Sequence, residues 1–280
     1  MTDQQHHLTE KQKAELREVL AQFPTLFNGK LGKYPGKKVH LSLRRDAKEP
    51  YHARPYSVPH LHRQVFKDEL RRLCEIDVLE PTGMSEWAAP TFITPKKDGR
   101  VRWVSDFRVL NQSLNRKKYP IPKITDILTR RNGYKYFTKL DISMQYYAFE
   151  LDDESKDLCT IITPFGKFRY KRLPMGIKQS PDIAQEIMEH TLRGIDDVDV
   201  YIDDVGCFSN SWEDHLRTLT KTLGRLQDAG FTINPLKCEW AVQETDWLGY
   251  WLTPKGLKPW SKRVRAILAM KEPTNLTEIR

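Results

Sequence analysis

Apolar residues recur at helical spacing in four parts of this chain and at strand spacing in several others. Thr9 and Gln12 form a capping box ahead of Leu16, Val19, Leu20 and Phe23, which predicts a short helix that stops before Pro24. Val65, Phe66, Leu70, Leu73 and Ile76 predict a second helix. Ser180 as N-cap with Pro181 at the first helical position predicts a third, through Ile183, Ile187 and Met188. Ser211 and Asp214 cap a fourth, through Leu216, Leu219, Leu223 and Leu226, closed by Gly230 just past its end.

Between these helices the pattern changes to alternation. Val39–Leu43, Phe231–Ile233 and Trp247–Leu252 read as strands, and Pro50, Pro55 and Pro59 mark an extended arm. Pro90–Thr94 and Val101–Val104 flank Asp98-Gly99, a hairpin signal with a basic tip. Tyr136–Leu151 reads as a strand that breaks into a turn after Asp141, Ile161–Lys171 as two strands about Pro164–Gly166, and Val198–Ser209 as a hairpin. Hairpin-like strand pairs interleaved irregularly with helices predict an α+β fold, an antiparallel sheet backed by helices.

Composition narrows the partners. Among 280 residues, 46 Lys and Arg stand against 37 Asp and Glu, and the net charge of +9 suits a polyanion such as nucleic acid. The 4 cysteines, Cys74, Cys159, Cys207 and Cys238, form no CxxC pair, which argues against a zinc knuckle or disulfide framework and for a reduced, intracellular setting. There is no apolar run of about 18 residues and no signal-peptide pattern, so a protein that is neither membrane-spanning nor secreted is expected. His6-His7 and the pair His60 and His62 lie in no recognisable ligand set and read as surface histidines.

The chemistry concentrates in Tyr201-Ile202-Asp203-Asp204-Val205. Consecutive strand residues face opposite sides, whereas a hairpin turn lets both carboxylates approach one site. Asp141, in the strand-like run Lys139–Ser143, is the candidate third acid of a cluster for divalent cations. Without that context the acid pair would read as a solvated turn.

Taken in order, Ser85–Ile93 with Pro95–Arg100, Asp106-Phe107-Arg108 with Leu110-Asn111, Leu140-Asp141, Leu173-Pro174-Met175-Gly176 and Tyr201–Asp204 resemble the motif set of reverse transcriptases. The similarity is greatest to gypsy-type LTR retrotransposon Pol polyproteins and runs from about Leu26 to the C-terminus. The resemblance implies a right-hand polymerase with an antiparallel palm sheet. Residues 1–58 would be an N-terminal extension and arm, 59–115 and 149–179 two parts of the fingers, 116–148 and 180–256 two parts of the palm, and 257–280 the start of a largely absent thumb.

The resemblance also implies site roles. Asp141, Asp203, Asp204 and the backbone carbonyl of Ile142 would hold two Mg²⁺, with Mn²⁺ a possible substitute. Lys96 and Arg102 would grip the triphosphate of a dNTP, with Lys97 and Arg100 contacting template or solvent. Tyr146 would exclude a 2′-hydroxyl, Met175 would pack against the incoming nucleotide, and Lys237 would protonate pyrophosphate. Asp106 and Arg108 would pair with each other or touch the templating nucleotide, and Trp247-Leu248-Gly249-Tyr250 would grip the primer.

Implied partners are an RNA or DNA template-primer duplex and further Pol domains such as ribonuclease H and integrase, and the implied location is cytoplasmic or within virus-like particles. Two departures from the pattern are Gln145, where relatives often have Gly, and Gly206-Cys207, where branched apolar residues are usual. Gly206 alone would weaken its strand by about 0.5–1 kcal/mol relative to Ala. A nucleic-acid-binding remnant without activity and a two-metal phosphodiester hydrolase are the competing readings, and the hydrolase has no need of a triphosphate grip. The chain reads as a piece of a longer polyprotein or a truncated copy, with weak duplex grip.

Overall fold

The computed structural model describes residues 7–259 except Met84, Lys97, Asp98, Arg100 and Asn132, together with Ala269. The expected contacts of Lys97 and Arg100, the hairpin residue Asp98, the histidine His6 and the start of a thumb beyond Pro259 therefore lie outside the described residues.

The chain opens with helix α1 (Glu10–Ala21), whose capping box is complete: Thr9 Oγ1 accepts the Gln12 N–H at 3.2 Å, and the Gln12 side chain accepts the Thr9 N–H at 3.0 Å. Helix α2 (Arg63–Glu75) follows, then strands β1 (Leu79–Pro81), β2 (Ala89–Pro95) and β3 (Val101–Ser105). Two short helices, α3 (Arg108–Ser113) and α4 (Ile124–Arg130), lead to β4 (Tyr136–Asp141). Helix α5 (Asp153–Leu158), strands β5 (Thr160–Thr163) and β6 (Gly166–Tyr170), and helix α6 (Ser180–Thr191) come next. The hairpin β7 (Val198–Tyr201) and β8 (Asp204–Ser209) precedes the longest helix, α7 (Trp212–Asp228). The described chain closes with β9 (Glu239–Val242), β10 (Thr245–Trp247), β11 (Tyr250–Thr253) and β12 (Gly256–Pro259).

These strands form three sheets. A four-stranded sheet in the order β7-β8-β4-β9 is antiparallel throughout. A five-stranded sheet, β1-β6-β5-β2-β3, contains one parallel pairing, Ala89–Pro90 beside Ile161–Ile162. A three-stranded meander, β10-β11-β12, completes the set. The class is α+β, as expected.

Helix α7 backs the four-stranded sheet because its apolar spacing lines up Leu219, Leu223 and Leu226, all fully buried. Each such side chain contributes roughly 1.5–3 kcal/mol by leaving water. Buried His215 joins α7 to the sheet: it lies 2.8 Å from Thr138 Oγ1 and 3.2 Å from Ser209 Oγ, and burial pulls its pKa down to about 4. A second core gathers Phe137, Phe208 and Trp247, with ring centroids 4.7–5.5 Å apart, between this sheet and the meander.

The N-terminal segment is stitched onto the same body. Ile233 N–H donates to Leu26 C=O at 2.8 Å, and Lys33 N–H donates to Gly230 C=O at 2.8 Å. Gly230 ends α7 at φ +70°, and a Cβ there would lie 2.0 Å from the Lys33 carbonyl oxygen, so only glycine admits this crossing.

Several local expectations change. Val39–Leu43 makes only single bridges, to Leu151 and Leu114, because its backbone groups pair in turn with different segments at residues 113–115 and 150–155. Phe231–Ile233 likewise contributes one bridge rather than a strand. Ser180 is the first residue of α6 rather than its cap; its hydroxyl instead donates to Pro174 C=O at 2.8 Å. Val65 is 42% exposed, so the buried stripe of α2 is Phe66, Leu70 and Leu73. The short elements α4, α5, β9 and β12 carried no clear periodic signal.

Candidate active site

The acid pair sits where β7 turns into β8. Tyr201 pairs with Asp204, leaving Ile202 and Asp203 as a two-residue turn. Ile202 takes φ +58°, a left-handed conformation that is costly for a β-branched residue and normally falls to glycine at this turn position. Side chains from outside the hairpin hold it there. Gln185 of α6, fully buried, accepts the Ile202 N–H at 2.6 Å and donates to Val200 C=O at 3.0 Å. Gln145 donates to Ile202 C=O at 3.0 Å.

Asp141 ends β4 directly opposite Asp204. Its backbone is held from the other side: Asn234 N–H donates to Asp141 C=O at 3.0 Å, and Ser143 N–H donates to Thr232 C=O at 2.8 Å. Both bonds of the Ile142–Ile233 bridge are thus made by flanking residues, so the bridge does not use the Ile142 carbonyl. Cys238 Sγ accepts the Asp141 N–H at 3.3 Å and donates to Asn234 C=O at 3.3 Å. Burial pushes the Cys238 thiol up to about 12, which keeps it protonated for that second bond.

Electrostatics couple the three acids. Burial, the carboxylate of Asp203 and then that of Asp141 push the Asp204 carboxyl up to about 6, with Lys139 opposing. Lys237 Nζ lies 3.2 Å from Asp141 Oδ2 and 3.4 Å from Oδ1. Tyr146 is half-buried, and its hydroxyl is pushed up to about 12 by burial and the Asp203 charge. Among the described residues, no three His, Cys, Asp or Glu side chains are drawn together into a closed ligand cluster. Mutually repelling carboxylates with hard oxygen donors fit a divalent cation, which would relieve the repulsion that raises Asp204.

The other sequence candidates lie on other elements. Lys96 follows β2, and Arg102 lies on β3 opposite Thr94; both are exposed on the five-stranded sheet. Met175 is 48% exposed in a loop whose Gly176 has φ +94°. Asn111 clasps that loop, donating to Gly176 C=O at 2.7 Å and accepting the Lys178 N–H at 2.8 Å. Arg108 makes a two-pronged pair with Asp106 at 2.8 and 2.6 Å, and Tyr56 donates to the same carboxylate at 3.2 Å. The ion pair holds the Asp106 carboxyl down at about 2.

Trp247 and Tyr250 flank the two-residue turn Leu248-Gly249, where both central residues have positive φ. Trp247 reaches the acid-bearing strand: a Cβ at Gly206 would lie 2.9 Å from both the Phe137 and the Trp247 rings. Gly206 is therefore an adaptation to the rings stacked on it rather than a weak point in the strand.

Sequence reasoning missed Gln185 and Cys238, whose partners are backbone groups of other elements and leave no local signal. Gln145 was noticed only as a departure from pattern.

The reverse transcriptase (RNA-dependent DNA polymerase) family matches residues 94–252. The chain is 31% identical over 82% of its length to the retrovirus-related Pol polyprotein from transposon 412 of Drosophila melanogaster, covering 19% of that protein. It is likewise 31% identical over 95% of its length to the Pol polyprotein from transposon opus of the same fly, covering 27% of it. The chain thus spans roughly a fifth to a quarter of the length of these relatives. The structure of the foamy viral protease-reverse transcriptase in complex with RNA/DNA hybrid superposes with a TM-score of 0.88 at 22% identity, over 99% of this chain and 38% of that one, a likeness of fold. With more than half of its residues inside the family match and the ordered acids at the strand ends described above, the chain belongs to the reverse transcriptase family.

Proposed function

We propose that the chain is the polymerase portion of a retrotransposon Pol polyprotein, extending a primer with dNTPs on an RNA or DNA template. The observation that carries this reading is the convergence of Asp141 and Asp204, paired across β4 and β8, with Asp203 in the adjoining turn. Family membership implies divalent metal use in general. In finer detail, Asp141, Asp203, Asp204 and the Ile142 carbonyl would hold two Mg²⁺, or Mn²⁺ in their place. Ions so held supply acidity to a primer 3′-hydroxyl and charge neutralisation for the departing pyrophosphate.

The protein's own groups do the rest. Asp141 and Asp204 face each other from paired strands, so the sheet sets their spacing. Lys96, just past β2, and Arg102, on β3, are exposed and would present cationic donors to a triphosphate. Tyr146, whose hydroxyl feels the Asp203 charge, would block a 2′-hydroxyl. Met175, exposed at its loop, offers apolar contact to the incoming nucleotide. Lys237, an ammonium within 3.2 Å of Asp141, would hand a proton to the leaving group. The five-stranded sheet would serve as fingers and the four-stranded sheet as palm, and an intracellular location beside ribonuclease H and integrase domains accords with this role.

The test is primer extension on an RNA template with Mg²⁺ and dNTPs, with Mn²⁺ substitution and Asp203→Asn as control. Incorporation that depends on metal and on Asp203 is expected. Duplex binding without extension would overturn the reading in favour of a binding remnant.

A further inference from the structure

The segment carrying Asp141 and the turn carrying Asp203 are joined by one side chain. Gln145 stands four residues after Asp141 at the start of the 3-10 helix Gln145–Ala148, and only 3% of it is exposed. Its Nε2 donates to Ile202 C=O at 3.0 Å, while its Oε1 is buried without a partner. An unpaired buried amide oxygen is unfavourable, so the bond to Ile202 is kept at some cost to the fold.

The anchor is firm. Met144 just before it is left-handed at φ +47°, Tyr147 N–H closes onto Met144 C=O at 2.9 Å, and Ser143 is bonded to Thr232. At the other end, Ile202 has a left-handed φ that an isoleucine leaves readily when unsupported.

We propose that Gln145 is a positioning residue: its bond to the Ile202 carbonyl holds the turn in its left-handed conformation and sets the separation of Asp203 and Asp204 from Asp141, independently of any bound cation. Its catalytic consequence rests on the polymerase reading, whereas its geometry does not.

The experiment uses Gln145→Met, which keeps volume but cannot donate, and Gln145→Met combined with Ile202→Gly, which adopts the turn without strain. Hydrogen exchange across residues 198–207 is followed without divalent ions, Mn²⁺ affinity by electron paramagnetic resonance, and primer extension by kinetics. Gln145→Met is expected to speed exchange at the turn and weaken Mn²⁺ binding by about tenfold each, the size of one lost hydrogen bond. It should also lower kcat with little change in KM for primer-template, and leave Tm at or above that of the parent protein. Ile202→Gly should restore Mn²⁺ affinity in the combined variant.

Unchanged exchange and Mn²⁺ affinity in Gln145→Met, or a loss that Ile202→Gly fails to restore, would overturn the proposal. If the parent protein binds Mn²⁺ and shows the exchange difference but never extends a primer, the polymerase reading fails and the positioning role stands.

Discussion

Two hairpins with two-residue turns lie on either side of the aromatic core formed by Phe137, Phe208 and Trp247, and they solve the same geometric problem differently. Between β10 and β11, both residues of Leu248-Gly249 have positive φ; glycine fills the second position without strain, and a leucine, unbranched at Cβ, bears the cost of the first. Between β7 and β8, Ile202-Asp203 does not suit its turn. Its conformation is imposed by Gln185 and Gln145, which reach in from α6 and from the segment after Asp141. A turn that only has to reverse the chain can take the residue its backbone prefers at one of its two positions, as Gly249 does. A turn that has to aim carboxylates is strained, and neighbouring elements hold it in place. The two are coupled, because Trp247, which leads into the second turn, packs where Gly206 of the first hairpin leaves room.

The contrast can be broken most severely at the acids. Asp203→Asn should cut nucleotide incorporation by at least about a thousandfold with circular dichroism unchanged, since it removes charge where charge stabilisation carries the chemistry. Next comes the coupling between the hairpins. Gly206→Val places carbon atoms against the Phe137 and Trp247 rings and should destabilise the protein by about 2–3 kcal/mol in urea unfolding, as overpacking does.

A smaller effect, with a defined pH dependence, is expected at Asp204. Its carboxyl in the fold is raised to about 6, above the ordinary 3.8, so its contribution favours folding below pH 4 and is lost as pH rises through 6. Asp204→Asn should therefore have a higher Tm than the parent protein at pH 7.5, and the gap should close as pH falls to 4. A Tm difference independent of pH would show that burial and like charge are not what burden this residue.

The smallest effects compare the turns directly. Ile202→Gly relieves a left-handed isoleucine and Gly249→Ala imposes a left-handed alanine, so the two should shift stability by about 1 kcal/mol in opposite directions.

Much of the fold was legible because its signals are local. The capping box of α1, the Ser211 cap of α7, the breaks at Pro24 and Gly230 and the alternation around the acid pair each arise within a few residues. The acids themselves were legible because a hairpin is a local structure and its turn is short. What could not be read were partners brought together by packing. Val39–Leu43 alternates like a strand yet has no single neighbour along its length. Gly206 reads as a weak point until the rings above it are seen, and Gln145 reads as a departure until Ile202 is seen beneath it.

The sequence alone determined the α+β class, the positions of the main helices, and the acid pair with Asp141 as its candidate third member, because periodicity, caps and turn residues act over a few positions along the chain; the parts given to Lys96, Arg102 and Tyr146 are what the family resemblance implies. Only the tertiary structure decided that Asp141 faces Asp204, that Lys237 and Cys238 brace Asp141, and that two glutamines hold a strained isoleucine. Those relations join residues 17 to 97 positions apart, and such pairings exist only once the core has closed around them.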